Sequence, residues 1–246
     1  MLVTRGVRRS LWIVTALLIA LPATGLLFRN VLATHAATRV LAGQSLFCES
    51  VRVRVPVALP PVSIELAPMR CQSPAGPLQS IHFAAPLYVD LSGWHIERLH
   101  CASVTISLRA QPHSDVELNT LGDLTAIAGL DEPAIELMFD AAHMAAHPAP
   151  PFLAASVTVL RAGLPLAVLT DLRMMPLPEG MSLVARSMRA RQISALGVAS
   201  LRATASPERA QAVLQFESKL RVTVTAEHLQ APRPRVRFEV ARGVKQ

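Results

Sequence analysis

The chain has 246 residues, of which 51% are hydrophobic and 17% charged, with 11 glycines and 19 prolines. These proportions exclude an intrinsically disordered protein and a collagen-like repeat, and the prolines disfavour a helical bundle. The formal net charge of +7 is concentrated in residues 181–246, which hold twelve Lys or Arg and four Glu. Such a basic region indicates either an anionic partner or a solvated arginine-rich face.

The first element is an uncharged apolar run from Leu11 to Phe28, about as long as the shortest helix that spans a bilayer. Arg5, Arg8 and Arg9 precede this run, so the positive-inside rule predicts a cytoplasmic N-terminus and transfer of the body across the membrane. A cleaved signal peptide is the alternative. We predict an uncleaved signal anchor.

This prediction divides the chain into four segments of a single-pass protein of a bacterial inner membrane. They are a cytoplasmic basic tail (1–10), a transmembrane signal anchor (11–28), a helical stalk (29–45) and a periplasmic β-rich domain (46–246). The helix-forming composition of residues 30–44 predicts the stalk. Three cysteines without CxxC spacing agree with an oxidising compartment.

From about residue 46 the hydrophobic period becomes two, which is typical of half-buried strands. The segments 51–57 (VRVRVPV) and 62–66 (VSIEL) both alternate apolar and polar residues. A hairpin in which paired residue numbers sum to 119 aligns the two apolar sets and places Arg54 opposite Glu65. The sequence therefore predicts this register for the first hairpin.

The same register places Cys48 opposite Cys71, where the separation suits a disulfide. We predict a Cys48–Cys71 disulfide, with Cys71–Cys101 as the alternative. In the first case Cys101 is a buried free thiol, inert rather than reactive.

Further strands are predicted in the middle of the chain near 80–91, 94–109, 134–145, 152–161, 166–175, 181–190 and 196–204. A helix is predicted over 115–128, and a second, shorter one starting at Ser206. The four-residue string ASVT occurs at 102–105 and again at 155–158. This spacing of 53 residues indicates either a duplicated strand unit or coincidence.

The chain closes with a second predicted hairpin. The even-numbered residues of 214–224 are apolar except Ser218, and a return strand follows the turn-like segment 231–234. We predict that Val224 pairs with Val236 and Val222 with Phe238, which sets Arg221 opposite Glu239. One-sided amphipathic strands of this kind indicate an antiparallel sheet with one buried face.

The sequence contains no nucleophile elbow, P-loop or dinucleotide-binding fingerprint. His143 and His147 stand four residues apart, but a metal site needs a third ligand and a helix beneath them. Nucleic acid is not expected as a partner, because only Phe216 and Phe238 accompany the basic charges of 181–246. We predict no catalytic residue, no metal site, no cofactor and no enzymatic activity.

The segments Val51–Leu66, Pro86–Trp94 and Ala102–Leu108 follow a short N-terminal anchor as successive amphipathic strands. In this the chain resembles the periplasmic part of AsmA-like envelope proteins and other small anchored periplasmic proteins of Gram-negative bacteria. The resemblance covers roughly residues 46–240. It implies a curved, mainly β fold whose apolar concave face holds acyl chains.

These observations predict an envelope module that binds or handles a phospholipid or glycolipid. Predicted groove-lining residues are Val53, Val55, Ile64, Leu66, Phe216, Val222 and Phe238, and predicted contacts to anionic head groups are Arg221, Arg233, Arg235 and Arg237. The alternative is a non-enzymatic scaffold subunit that docks another envelope protein. A lipid groove requires an apolar face not filled by side chains, whereas a scaffold requires a filled core and an exposed patch.

Overall fold

The computed structural model describes residues 28–43, 45–57, 62–74, 78–93, 95–109, 150–190, 196–230 and 235–242, and the backbone alone of 117–121. In these residues the protein is mainly β, as predicted, with fifteen strands in a single sheet and one helix. The predicted basic tail, nearly all of the signal anchor, the strand at 134–145, both His143 and His147, and Arg233 lie outside the described residues.

The helix α1 spans 28–43, and seven strands follow it in the N-terminal half. They are β1 (Phe47–Glu49), β2 (Val53–Arg54), β3 (Ser63–Leu66), β4 (Met69–Gln72), β5 (Leu78–Phe83), β6 (Leu87–Ser92) and β7 (His95–Leu108). Strand β8 (Glu117–Leu121) is followed by seven more in the C-terminal half. They are β9 (Phe152–Arg161), β10 (Leu164–Leu177), β11 (Gly180–Ala190), β12 (Ala199–Ala205), β13 (Arg209–Phe216), β14 (Leu220–Glu227) and β15 (Arg235–Arg242).

The N-terminal half is an antiparallel meander of bent strands. Strands β1 and β2 pair with β4 and β3, and β4 and β3 pair in turn with β5 and β6. Both β5 and β6 then lie along the same edge of the long strand β7. Pro68 and Pro86 fall at the breaks within these bent strands, where a proline costs no ladder hydrogen bond.

The C-terminal half is a regular meander in which β9 to β15 pair in chain order. The two halves join where β9 lies parallel to β7, with Ser103 opposite Ser156 and Val104 opposite Val157. The ASVT strings are therefore side by side, and their 53-residue spacing is the register of this parallel pair. Strand β8 adds to the far edge, parallel to β15.

The first predicted hairpin register is confirmed over the paired residues. Val53 lies opposite Leu66, Arg54 opposite Glu65 and Cys48 opposite Cys71. The β2–β3 pairing ends at Arg54 and Glu65. Beyond it, Val57 and Val62 are 64% and 70% exposed rather than buried against each other.

The second predicted hairpin has the correct faces and the wrong register. Val224 lies opposite Phe238 and Val222 opposite Val240, so Arg221 faces Ala241 rather than Glu239. Alternation determines which face a residue occupies, but a displacement of two residues preserves that face. The long strand predicted over 214–224 is also divided by a turn at 217–219.

Both helices predicted in the body are wrong where the structure describes them. Residues 117–121, inside the helix predicted over 115–128, form β8. Ser206 does accept a hydrogen bond from the N–H of Arg209, as a helix cap would, at 3.1 Å. Here that bond closes the tight turn between β12 and β13. A serine that can cap a helix can equally make this bond in a hairpin turn.

Candidate functional site

The two faces of the sheet differ in polarity, and the buried one is here called the inner face. One cross-strand row of this face runs over eight strands and is buried throughout. Its members, in strand order, are Met69, Phe83, Val104, Val157, Leu169, Met188, Ala199 and Phe216. Such a row is the core that the period-two pattern predicted.

A second row of the inner face is less covered, and we call it the open row. It consists of Phe152, Met174, Leu183, Ala203 and Ala212, which pair in that order across β9 to β13 and are all only half-buried. The two alanines leave little side-chain bulk above the sheet. The open row is thus an apolar strip that side chains of the described residues do not fully fill.

The predicted groove-lining residues lie on the inner face in two separate groups. Val53, Val55, Ile64 and Leu66 are at the β2–β3 edge, while Phe216, Val222 and Phe238 are on β13 to β15. The second group is closed off from solvent, with Val222 at 0% and Phe238 at 1% exposure. Sequence reasoning missed the open row between the two groups, because its alanines gave a weak apolar signal.

The predicted head-group arginines lie on the opposite face from the groove residues of the same strands. Arg221, Arg235 and Arg237 are exposed, whereas Val222 and Phe238 beside them are buried. This follows from strand geometry, since successive side chains point to opposite faces. The structure therefore does not bring these arginines and those groove residues together on one surface.

A polar cluster that the sequence did not reveal lies on the outer face of β6 and β7. The Arg98 Nε atom donates a hydrogen bond to Oδ2 of Asp90 at 2.6 Å, and Nδ1 of His100 lies 3.3 Å from the same oxygen. The ring of Tyr88 stacks on that of His100 with centroids 5.1 Å apart. The hydrogen bond from Arg98 lowers the pKa of Asp90, so this carboxylate is a charged acceptor and not a proton donor.

Next to this cluster an open hollow of about 240 Å³ lies over β7, β9 and β10. Its lining includes His100, Leu153, Asp171 and Arg173. Asp171 has a φ of 50° and lies 3.6 Å from Arg186, so its carboxylate already has a cationic partner. The hollow is shallow, and the one thiol among its lining residues, Cys101, is buried with a raised pKa, which makes it a poor nucleophile.

The cysteines divide as predicted. The sulfur atoms of Cys48 and Cys71 lie 1.99 Å apart, at disulfide distance. Cys101 is free and buried on the inner face, and its burial raises the pKa of the thiol. A buried thiol of raised pKa is a poor nucleophile. No cluster of three or more His, Cys, Asp or Glu suited to a metal occurs in the part of the chain that the structure describes.

Side chains of the helix α1 accept hydrogen bonds from the backbone of β2 and the residue that follows it, at one edge of the sheet. Val53 N–H donates to Oγ1 of Thr34 at 3.0 Å, and Val55 N–H donates to Oδ1 of Asn30 at 2.8 Å. Four residues of helix rise about 6 Å and two residues of strand about 6.6 Å, so the two spacings match. The helix thus satisfies amide groups that an edge strand would otherwise leave unpaired.

Within the described ranges no helix has the length and apolar character needed to cross a membrane. No protein-family model matches the chain, and neither a curated protein sequence nor a solved structure matches it with statistical significance. The functional proposal therefore rests on the geometry of this sheet and on the sequence.

Proposed function

We propose that this protein is a non-enzymatic lipid-binding module of the bacterial envelope that holds an acyl chain along the inner face of its sheet. The open row carries this proposal. Five apolar residues, two of them alanines, form a continuous half-buried strip across β9 to β13. An acyl chain needs an elongated apolar surface with few side chains in its path.

The connection between β7 and β8 supports a concave form of the inner face. Nine residue steps lead from Leu108 to Glu117 and reach at most ~32 Å. In a flat sheet, β8 lies eight strand spacings from β7, or ~38 Å. A connection shorter than the flat distance supports a curved sheet, which is the form that the proposed acyl-chain surface needs.

The proposed location follows from the N-terminal sequence. The apolar run Leu11–Phe28 behind three arginines is the pattern of an anchor in the inner membrane, with the N-terminus cytoplasmic and the sheet in the periplasm. The Cys48–Cys71 pair agrees with an oxidising compartment. The membrane is thus the proposed first partner and source of the lipid.

A scaffold role is the second candidate, and one observation favours it. The predicted groove residues on β13 to β15 are filled core, with Phe216 at 2% and Phe238 at 1% exposure. A module that only docks another envelope protein would show a filled core of this kind. The open row is the feature that distinguishes the lipid-binding candidate from it.

Native mass spectrometry of the full chain, extracted from membranes in mild detergent, tests the proposal. We expect adducts of phospholipid mass that are lost on delipidation. In Ala203→Phe the added ring occupies the open row, so the adducts should fall several-fold. Thr204→Phe is the matched control, since Thr204 is adjacent, exposed and on the outer face, and its adducts should persist.

An adduct-free mass for the unsubstituted chain would exclude lipid binding in favour of the scaffold role. Equal adducts in both variants would mean that lipid binds elsewhere than on the open row. Circular dichroism checks that each variant folds. If Ala203→Phe does not, Ala212→Val offers a smaller change in the same row.

A further inference from the structure

Large exposed apolar residues gather at one end of the sheet, beside the start of α1. Phe28 is 54% exposed, Val57 64%, Val62 70% and Ile96 52%. These residues come from the helix, from the two sides of the β2–β3 connection and from the start of β7. We call this group the apolar end. Contiguous exposed apolar residues of this kind mark an interaction surface.

Hydrogen bonds between α1 and β2 place this group relative to the N-terminal segment. Asn30 contacts Val55 and Thr34 contacts Val53, so the strand runs antiparallel to the helix. Going from Val55 to Val57 therefore moves about one helical turn towards the N-terminus from Asn30. Along the axis of α1, Val57 is therefore level with the start of the helix or lies beyond it.

The apolar end is continuous across the neighbouring strands. The Leu91 N–H donates to the carbonyl of Val62 at 2.9 Å, and Leu91 is paired with Ile96 on β7. Further along the same end, where β10 finishes, Met175 and Leu177 are 46% and 45% exposed. At the opposite end the exposed apolar residues Phe47 and Leu164, at 60% and 59%, each lie opposite a polar residue, Gln72 and Arg161.

We propose that the apolar end rests in the surface of the lipid bilayer, and this inference depends on the anchor in the proposed function. The uncharged run Leu11–Phe28 ends at Phe28, which is itself part of the apolar end. If that run spans the bilayer, the hydrogen bonds between β2 and α1 hold Val57 and Val62 at the level where the helix emerges from the bilayer. From residue 28 to residue 48 the chain also contains Arg29 and Arg39 and no acid, which suits anionic lipid.

This arrangement fixes how the sheet stands on the membrane. Because β2 runs along the axis of α1, the ends of β2 and of the strands beside it, rather than their faces, meet the bilayer. The inner face then opens towards the membrane at the apolar end, so a lipid enters the sheet from its edge. The interaction surface and the open row are separate features with separate tests.

Depth-dependent quenching in the full chain tests the apolar end. Val62→Cys and Leu164→Cys carry the same environment-sensitive fluorophore, in nanodiscs of phosphatidylethanolamine and phosphatidylglycerol with or without lipids bearing a spin label near the head group. The two positions are comparably exposed, at 70% and 59%, and lie at opposite ends of the sheet. Labelling without reductant spares the Cys48–Cys71 pair, and the unsubstituted chain controls for Cys101.

We expect quenching at position 62 to exceed that at 164 several-fold. Equal quenching, or none at either position, would overturn the inference. A shielded fluorophore at 62 that the lipids do not quench would also overturn it, and would assign the surface to a protein partner or a second copy of the chain. Lipid adducts in the mass spectrum report on the open row alone, so the proposed function can stand if this inference fails.

Discussion

The two halves of the sheet are held together in different ways. In the N-terminal half β1 to β6 are only two to six residues long and are interrupted by bends. They are cross-linked by a cystine, by hydrogen bonds donated to α1, and by the Arg54–Glu65 and Asp90–Arg98 ion pairs. In the C-terminal half β9 to β15 are seven to fourteen residues long and bury a continuous apolar face.

The difference reflects how much apolar surface a strand can bury. A strand of two or three residues places one or two side chains on the inner face, which offsets little of the conformational entropy lost on ordering it. Cross-links supply what such strands lack. Longer strands bury two to four side chains each, and the ion pairs between them, Asp171–Arg186 and Arg209–Glu227, are largely exposed, so packing is their main support. A substitution in one half should therefore reveal a different source of stability from a substitution in the other half.

The largest effect is expected from a cavity in the C-terminal half. Phe238→Ala removes a ring that is 1% exposed, which should lower the free energy of unfolding by about 3–5 kcal/mol. Urea unfolding followed by circular dichroism measures the loss. Glu239→Ala is the control on the exposed face of the same strand, with an expected change within ~0.5 kcal/mol. A loss from Phe238→Ala as small as the control's would mean that this region is not packed.

In the N-terminal half the strongest single support is the cystine. Cys48 and Cys71 are 23 residues apart, and for a closed loop of that length the chain-entropy model gives about 3 kcal/mol. The double variant Cys48→Ser/Cys71→Ser should lose this amount, and reduction of the unsubstituted chain should do the same.

Hydrogen exchange locates this effect. After reduction we expect faster exchange in β1 to β4 and unchanged exchange in β13 to β15. A Cys101→Ala chain is the control and should respond to reductant like the unsubstituted chain, because Cys101 is not in the pair. Faster exchange throughout the sheet would contradict the separate support of the two halves.

The same difference explains what could be predicted from the sequence. In the first hairpin an ion pair and two cysteines restricted the register to one solution, and that register is observed. In the last hairpin Val222, Val224 and Phe238 alternate in any even register, so alternation alone gave the face and missed the pairing by two residues. Packing chooses between such registers, and packing is not visible in one sequence.

The candidate site was less accessible to sequence reasoning than the fold. Alanines such as Ala203 and Ala212 carry little hydrophobic signal, so the open row emerged only when five strands were placed side by side. A turn likewise separates Asp90 from Arg98 and His100 in the sequence, so alternation alone does not reveal that these side chains meet. The helix predicted over 115–128 failed because β8 owes its strand to pairing with β15, a distant partner.

A smaller effect is expected where α1 meets β2. Thr34→Val keeps the shape of the side chain but removes the oxygen that accepts from Val53 N–H, at a cost of about 1 kcal/mol. Exchange of the Val53 amide should accelerate. Thr38→Val is the matched control one turn along the helix, since the Thr38 hydroxyl donates to the Thr34 carbonyl of the helix itself. Equal protection of Val53 in both variants would mean that the helix does not seal this edge.

The smallest effect is expected at Asp90, on the exposed side of the N-terminal half. The hydrogen bond from Arg98 lowers the pKa of Asp90 below its ordinary value of 3.8. A lowered pKa means that the pair's contribution to stability is complete well above pH 3.8 and is lost as the pH falls through the folded-state value. Urea unfolding across this range should show the loss in the unsubstituted chain and a flatter profile in Asp90→Asn.

The change should be small, because the Arg98 side chain is 50% exposed and solvent weakens the pair. Glu217→Gln is the control, since it removes an exposed carboxylate from the β13–β14 turn in the other half and should leave the profile as it was. If Asp90→Asn retained the full acid dependence, other carboxylates would account for it. The polar cluster would then contribute to the shape of the outer face and not to the cross-linking that distinguishes the N-terminal half.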